Sequence, residues 1–238
     1  MTGLPTVTPE ESAAADQGSQ IIPRGPLIMI DGFLPLELAT VMREDIDRHF
    51  AEPLEDNPRT HQVWDYLFAP RLYTYMRTSP EKIINSDRIA LFCDALKAWS
   101  TGTLGMGQLT RPYLRLYVAG CSEAFHNEPL NGRFGFVYSL TRDARRTVGG
   151  ETLVMREGDS FRAHLTNSVE ERTFCDVIAP RFNRLLVFDD RLIRAVSPVR
   201  RCASSTRQPT RCDQNGKSYG SGGASVVLSG HVVLIPYR

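Results

Sequence analysis

Hydrophobic and polar residues alternate through the second half of the chain. Large apolar side chains recur at every second position over 113–118 and 134–140, and a third run at 151–155 follows Gly149-Gly150. Alternation of this period, bounded by glycine and asparagine, is typical of β-strands. Shorter apolar runs predict further strands at 27–30, 173–178, 183–188 and 224–235. The pattern therefore predicts a mainly β domain.

Two segments ahead of these strands have helical spacing instead. In the first, 34–49, apolar residues fall three or four positions apart, and Pro35 is acceptable in the first turn. The second begins at Ser79-Pro80, a favourable cap and first helical position, and is predicted to break near Asn85 before running toward Trp99. Two helices before a run of strands favour a sheet backed by helices.

Between the two helices lies an aromatic-rich segment, 51–80, which contains Trp64, Tyr66, Phe68, Tyr73 and Tyr75. It is interpreted as a packed lid or surface flap, with the alternative that part of it lines a substrate pocket. Residues 1–20 are rich in small and polar side chains and predict a flexible N-terminal tail. Residues 21–238 are then expected to form one domain.

Composition narrows the classes of partner. The 238 residues are 42% hydrophobic and 23% charged, with a formal net charge of +1, so charge favours neither a nucleic acid nor a membrane as partner. No apolar run reaches the length of a transmembrane helix and no signal peptide pattern is visible, so a cytoplasmic location is expected. Five irregularly spaced cysteines fit free thiols in a reducing compartment. A small-molecule substrate is expected, and a homodimer is left open.

The candidate chemistry lies between the alternating strands. His126 and Glu128 are two positions apart, so on extended chain both can point at one spot, as two of the three ligands of a 2-His-1-carboxylate iron site do. Arg115 shares a strand face with Tyr113, and this face is a candidate for binding an oxoacid. Arg133 precedes the next strand at the expected mouth of the site.

Several motifs in order resemble the iron(II)/2-oxoglutarate-dependent dioxygenase superfamily, on its prolyl 4-hydroxylase-like branch. They are the His-x-acid followed by an aromatic-rich strand, the Gly-Gly-Glu-Thr-Leu run at 149–153, the stretch 180–199, and the early strand and helix at 28–38. The resemblance covers residues 26–235. It implies a double-stranded β-helix, a jelly roll of the cupin-like kind, with iron(II) on His126 and Glu128. It also implies 2-oxoglutarate as cosubstrate, held by Arg115, Tyr113, Arg133 or a loop cation.

The chain departs from the family pattern at two points. Arg194, in Arg-Ala-Val, stands where the family places its second metal histidine, and arginine has no lone pair to give a metal. Ser225 falls near the position of the cation that would bind 2-oxoglutarate. The polar segment 200–223, interpreted as a long surface loop, offers substitute cations in Arg207, Arg211 and Lys217.

Three functions follow from this pattern. The first is an iron(II)/2-oxoglutarate-type oxygenase of a small molecule with an altered ligand set, in which two protein ligands and an oxoacid hold the metal, or His61, His164 or His231 substitutes for the missing ligand. The second is a metal-independent, non-redox isomerase, cyclase or lyase. There Arg194 pairs with Glu128, His126 is the general acid or base, and Arg194 or Arg115 holds a substrate carboxylate or enolate. The third is a catalytically silent relative that binds a metabolite or partner.

Overall fold

The computed structural model describes residues 20–24, 27–51, 63–105, 107–128, 133–142, 147–156, 174–201 and 225–233. Two α-helices lie in the first half, α1 at Leu36–Ala51 and α2 at Ser86–Leu104, with a 3₁₀ turn at Pro80–Lys82 between them. The predicted break before α2 is present: the side chain of Asn85 caps the helix by accepting from the backbone N–H of Asp87 at 2.8 Å.

Strands make up most of the remainder. Their bounds are β1 Gln20–Arg24, β2 Leu27–Asp31, β3 Asp65–Ala69, β4 Tyr73–Thr78, β5 Gln108–Leu109, β6 Tyr113–Tyr117, β7 Ser122–His126, β8 Phe134–Ser139, β9 Thr147–Val148, β10 Thr152–Met155, β11 Cys175–Ile178, β12 Arg184–Asp189, β13 Arg194–Val196, β14 Arg200–Arg201 and β15 Ser225–Val233.

The strands form one long antiparallel path in the order β1-β2-β12-β8-β15-β6-β4-β7-β13-β10-β11, with β3 beside β4 and β5 beside β15. Most neighbours in this path are not consecutive in sequence, as in a jelly roll. The two halves of the path, β2 to β6 and β4 to β11, form the two facing walls of a double-stranded β-helix. The predicted fold class is confirmed.

The central strands are buried on both faces, and their alternation divides the core from the pocket. On β12, Leu185 and Val187 pack among the helix residues, whereas Leu186 and Phe188 face the interior of the barrel. The same period sends Leu114 and Leu116 of β6 toward the helices. Strand β12 is fully buried, which explains why its sequence reads as a continuous apolar run.

The helices cover one outer face of this sheet. Met42 and Ile46 of α1 and Phe92 and Leu96 of α2 are fully buried against it. Asn183 fixes the junction between sheet and α1: its amide binds the backbone N–H and C=O of Leu34 at 2.9 and 2.8 Å. With this scaffold fixed, the opposite face of the sheet is left to form the pocket.

The structure adds to or changes the predicted secondary structure at three points. The described part of the aromatic segment contains the hairpin β3–β4, in which β4 is part of the sheet and β3 carries the exposed Tyr66 and Phe68; none of these residues lines the pocket. His126 ends strand β7, which the alternation pattern did not predict. Strand β1, also not predicted, pairs with β2 throughout its length.

Some expectations lie outside the described residues. These are the predicted tail apart from Gln20, residues 202–223 of the predicted loop with its three candidate cations, His61 and His164. His231 lies on β15, but its side chain is not among those described. Among the helices the structure describes, none is long and apolar enough to cross a membrane.

Candidate functional site

A pocket with about 730 Å³ of empty space, its open mouth included, lies between the walls of the barrel. The apolar part of the lining comes mainly from β8, β11, β12, β13 and β15 and includes Val137, Ile178, Leu186, Phe188, Val196 and Val227. Most of the charged and titratable groups come from β6, β7 and β13 and the segment after β7; these are Arg115, Tyr117, Glu123, His126, Glu128 and Arg194.

Strand β6 places Arg115 and Tyr117 on the pocket face because they are two residues apart. Both bind Glu123 of β7. The Tyr117 hydroxyl donates to Glu123 Oε2 at 3.1 Å, and Arg115 Nη1 donates to Oε1 and Oε2 at 3.3 and 3.4 Å. The Arg115 guanidinium also lies 5.0 Å from the ring centre of Tyr75. The Glu123 carboxylate is therefore held from two sides.

A register shift in the β7–β13 ladder brings a second group to the same face. Arg194 is paired with His126, but Val196 is paired with Glu123, so β7 spans one residue more than β13 between these pairs. On a regular strand, positions 123 and 126 would face opposite ways. With the shift, both line the pocket, and His126 Nε2 lies 3.9 Å from Glu123 Oε1.

The other imidazole nitrogen of His126 contacts the backbone. Nδ1 lies 2.8 Å from the carbonyl oxygen of Ala124, and because a carbonyl can only accept, this contact assigns the proton to Nδ1. In the neutral ring, Nε2 then carries the lone pair. The side chain is 28% exposed, so Nε2 can be reached by a small molecule.

Arg194 links the two acidic residues beyond β7 and β12. Its Nη2 donates to Glu128 Oε2 at 2.6 Å, and its Nη1 lies 3.8 Å from Asp190 Oδ1. The guanidinium stacks over Phe188, 4.5 Å from the ring centre, and the side chain is only 9% exposed. Arg194 is thus a buried cation fixed among two carboxylates and an aromatic face.

Burial and these contacts set the protonation states. Burial lowers the pKa of Arg194, and Glu128 and Asp190 oppose that shift, so the residue stays a cation. Burial also acts to lower the pKa of Arg115, but Tyr117 and Glu123 outweigh it and the pKa is raised. Burial, reinforced by Glu123, raises the pKa of Tyr117, which keeps its hydroxyl protonated as a donor.

Comparison with known proteins gives a likeness of fold. No protein-family model matches the chain, and neither does any curated protein. Among solved structures, a Pseudomonas putida prolyl-4-hydroxylase is similar with a TM-score of 0.57 and 13% identity, over 88% of this chain and 93% of that one. A Trichoplax adhaerens prolyl hydroxylase, solved with a peptide of hypoxia inducible factor, gives a TM-score of 0.56 and 14% identity over 87% and 83%.

A third neighbour has a different activity on the same fold. It is the non-heme α-ketoglutarate-dependent epimerase SnoN of nogalamycin biosynthesis, with a TM-score of 0.53 and 12% identity over 86% of this chain and 76% of that chain. The fold is that of the 2-oxoglutarate oxygenases. At these identities the likeness does not extend to the activity or to the site residues.

The donor set of the described residues does not fit an iron(II) site of the usual kind. No three His, Cys, Asp or Glu side chains among them are grouped closely enough to hold a metal ion. Of the two predicted ligands, Glu128 already binds the Arg194 guanidinium, whose positive charge would repel a divalent cation. The candidate for binding the oxoacid, Arg115, is likewise engaged by Glu123.

The structure brings together four of the six residues singled out from the sequence: His126, Glu128, Arg194 and Arg115. The other two lie outside the pocket lining. Tyr113 is 40% exposed and has Arg77 over its ring, 4.5 Å from the ring centre. Arg133 is exposed beside the ring of Phe134.

Sequence reasoning missed two charged residues of the pocket. Glu123 lies three positions from His126, and nothing in the pattern marks the register shift that brings them to one face. Arg184 lines the pocket from β12; its Nη2 binds Asp31 Oδ2 at 2.7 Å and its Nη1 binds the carbonyl of Ala179 at 3.2 Å. The signal for Arg184 was a charged residue opening an otherwise apolar strand, which typically requires a buried partner.

Proposed function

We propose that this protein is a metal-independent enzyme that moves a proton on a small molecule, with His126 as the general base. The observation that carries the proposal is the 2.6 Å contact between Arg194 Nη2 and Glu128 Oε2. It uses the carboxylate that iron would need and places a cation beside His126 on the neighbouring strand. The likeness of fold to 2-oxoglutarate oxygenases supports the pocket's shape rather than its chemistry.

His126 has the geometry that a base requires. The Ala124 carbonyl holds the proton on Nδ1, so Nε2 can accept a proton from a bound substrate. The imidazolium that results would be stabilised by Glu123, whose carboxylate is 3.9 Å from Nε2 and is oriented by Arg115 and Tyr117. Return of the proton to another atom completes an isomerisation, and loss of a leaving group completes an elimination; neither needs an oxidant.

Metal binding is the first test. The metal-free protein is titrated anaerobically with iron(II), with and without 2-oxoglutarate, and is followed by visible absorption and elemental analysis. Arg194→His serves as the matched variant because it supplies the missing imidazole. We expect no charge-transfer band and no tightly bound iron in the wild type, and iron binding at least tenfold tighter in Arg194→His. A charge-transfer band in the wild type would overturn the proposal in favour of an oxygenase.

Proton transfer is the second test. Deuterium incorporation from D₂O into a panel of small ketones and imines is followed by NMR, with EDTA present. We expect incorporation by the wild type and at least a hundredfold loss in His126→Gln, since general bases contribute factors of this order. His49→Gln is the control, because His49 lies outside the pocket and binds the indole N–H of Trp64. No iron and no exchange together would instead indicate a catalytically silent binding protein.

A further inference from the structure

The charges that surround the pocket are matched within the protein. Each of the three arginines that line it has an acidic partner: Arg115 has Glu123, Arg184 has Asp31, and Arg194 has Glu128 with Asp190 behind it. Arg181 also lies 3.9 Å from Asp31, so over these described residues four cations face four carboxylates, and the formal charge is zero while His126 is neutral.

This arrangement disfavours a charged ligand of either sign. A ligand carboxylate would add an unmatched negative charge to a buried region and would have to displace Glu123 or Glu128 from its arginine. A ligand cation would have to compete with those arginines for the same carboxylates. An uncharged molecule can enter with neither cost, and the apolar part of the lining offers it Val137, Leu186 and Val227.

An uncharged substrate must still have an acidic proton for His126 to remove. In a molecule without charge, a carbonyl group supplies that acidity, because the electrons of the broken C–H bond move into an enolate. Its oxygen can be received on the charged side without displacing a carboxylate, since each guanidinium has five N–H donors. Arg194 donates to Glu128 through Nη2, and Arg115 donates to Glu123 through Nη1.

We propose that the ligand of this pocket is an uncharged, largely apolar carbonyl compound, in contrast to the dianionic 2-oxoglutarate. That the ligand contains a carbonyl group rests on the proposed proton transfer. That it carries no charge rests on the charge balance of the pocket alone. In the reaction, the α-proton passes to His126 Nε2, the C–H electron pair forms the enolate double bond, and the carbonyl electrons move to oxygen. The proton then returns to carbon, so atoms and electrons balance without a co-reactant.

The test compares two ligands that differ in charge and little else. Phenylacetone and phenylpyruvate share a benzyl ketone, and a methyl group in the first replaces the carboxylate of the second. Their dissociation constants for the full-length wild type are measured by NMR titration in EDTA, with 2-oxoglutarate as a second anion. We expect phenylacetone to bind at least tenfold more tightly than either anion. Equal or tighter binding of an anion, or no binding of phenylacetone at millimolar concentration, would overturn the inference.

A variant locates the source of the discrimination. Glu123→Gln removes the carboxylate that engages Arg115, so phenylpyruvate should gain at least tenfold in affinity while phenylacetone changes little. Glu44→Gln, a change at a half-exposed carboxylate on α1, should leave the ratio unchanged. The wild-type comparison stands even if Glu123→Gln does not fold.

The outcome is separable from that of the proposed function. Binding of phenylacetone without deuterium exchange at its benzylic carbon would refute the proposed proton transfer and support the inferred ligand class. Exchange into phenylpyruvate in preference to phenylacetone would support the proposed proton transfer and refute the inferred ligand class. Iron binding by the wild type would be detected in the separate titration without EDTA.

Discussion

The ion pair between Arg194 and Glu128 can be tested through stability, without knowledge of any substrate. The perturbation is Glu128→Gln, which keeps the shape of the side chain and removes its charge. Arg194 is 9% exposed and cannot be rehydrated in place, whereas Glu128 is 26% exposed. We therefore expect the cost to fall on the arginine, as a buried cation deprived of its nearest carboxylate.

The size of the effect follows from the contacts. Breaking a buried pair by removing one partner costs about 3–5 kcal/mol, and a hydrogen bond to a charged group contributes about 1.5–3 kcal/mol. Asp190, 3.8 Å from Nη1, retains part of the compensation, as does the remaining amide oxygen of the variant. We expect Glu128→Gln to lower the free energy of unfolding by about 2–3 kcal/mol, or the melting temperature by about 5–10 °C for a domain of this size.

The assay is urea unfolding followed by circular dichroism, arranged as a double-mutant cycle with Arg194→Met. Because Arg194→Met removes the cation that Glu128 pairs with, Glu128→Gln should cost less in that background than in the wild type, with a coupling of about 2 kcal/mol. Glu44→Gln is the control: that carboxylate is 51% exposed, its oxygen is 3.9 Å from Arg142, and a change below about 0.5 kcal/mol is expected. Additive effects in the cycle, or a cost at Glu128 no larger than at Glu44, would refute the pairing and with it the metal-independent site.

Three further predictions concern the scaffold. Gly149→Ala should lower the free energy of unfolding by about 2 kcal/mol or more in the same urea assay, because φ is +92° and a Cβ would lie 1.9 Å from the carbonyl oxygen of Pro198. An unchanged free energy of unfolding would contradict the close contact between residue 149 and the Pro198 backbone. Cys121 is 2% exposed and burial raises the pKa of its thiol, so peptide mapping after brief iodoacetamide treatment should find it unmodified in the folded protein and modified in urea. Hydrogen bonding to Arg184 lowers the pKa of Asp31 below its ordinary 3.8. This carboxylate therefore stabilises the fold above pH 3.8, and it does so less as the pH falls through the lowered pKa. The difference in unfolding free energy between the wild type and Asp31→Asn should narrow on acidification, and a wider difference would contradict the pairing.

The sequence pattern predicted those elements whose local signal agrees with their tertiary environment. Strands β6 and β8 alternate because one face meets the helices and the other the pocket, and α1 has one apolar stripe. The segment Ser122–His126 has little strand propensity of its own, and its pairing with β4 and β13 comes from residues remote in sequence. The aromatic residues of the hairpin β3–β4 suit a surface lid as well as a strand, so the pattern did not predict the hairpin.

The contrast between local sequence signals and pairing of remote residues also explains which site residues could be predicted. His126, Glu128 and Arg194 are recognisable from order and spacing, but Glu123 is brought beside His126 only by a register shift that depends on how β7 meets β13. Two of the pocket's ion pairs, Arg194–Glu128 and Arg115–Glu123, each occupy a group that an oxygenase site would need. Arg194 holds the carboxylate that a metal would take, and Glu123 holds the arginine that an oxoacid would take. Introducing a histidine at position 194 removes only the Arg194–Glu128 pair. The variant should therefore bind iron, while its affinity for 2-oxoglutarate remains limited by the pairing of Glu123 with Arg115. Because the two pairs involve different residues on different strands, reversal of one is not expected to restore the other, and the pocket is adapted as a whole to a ligand without charge.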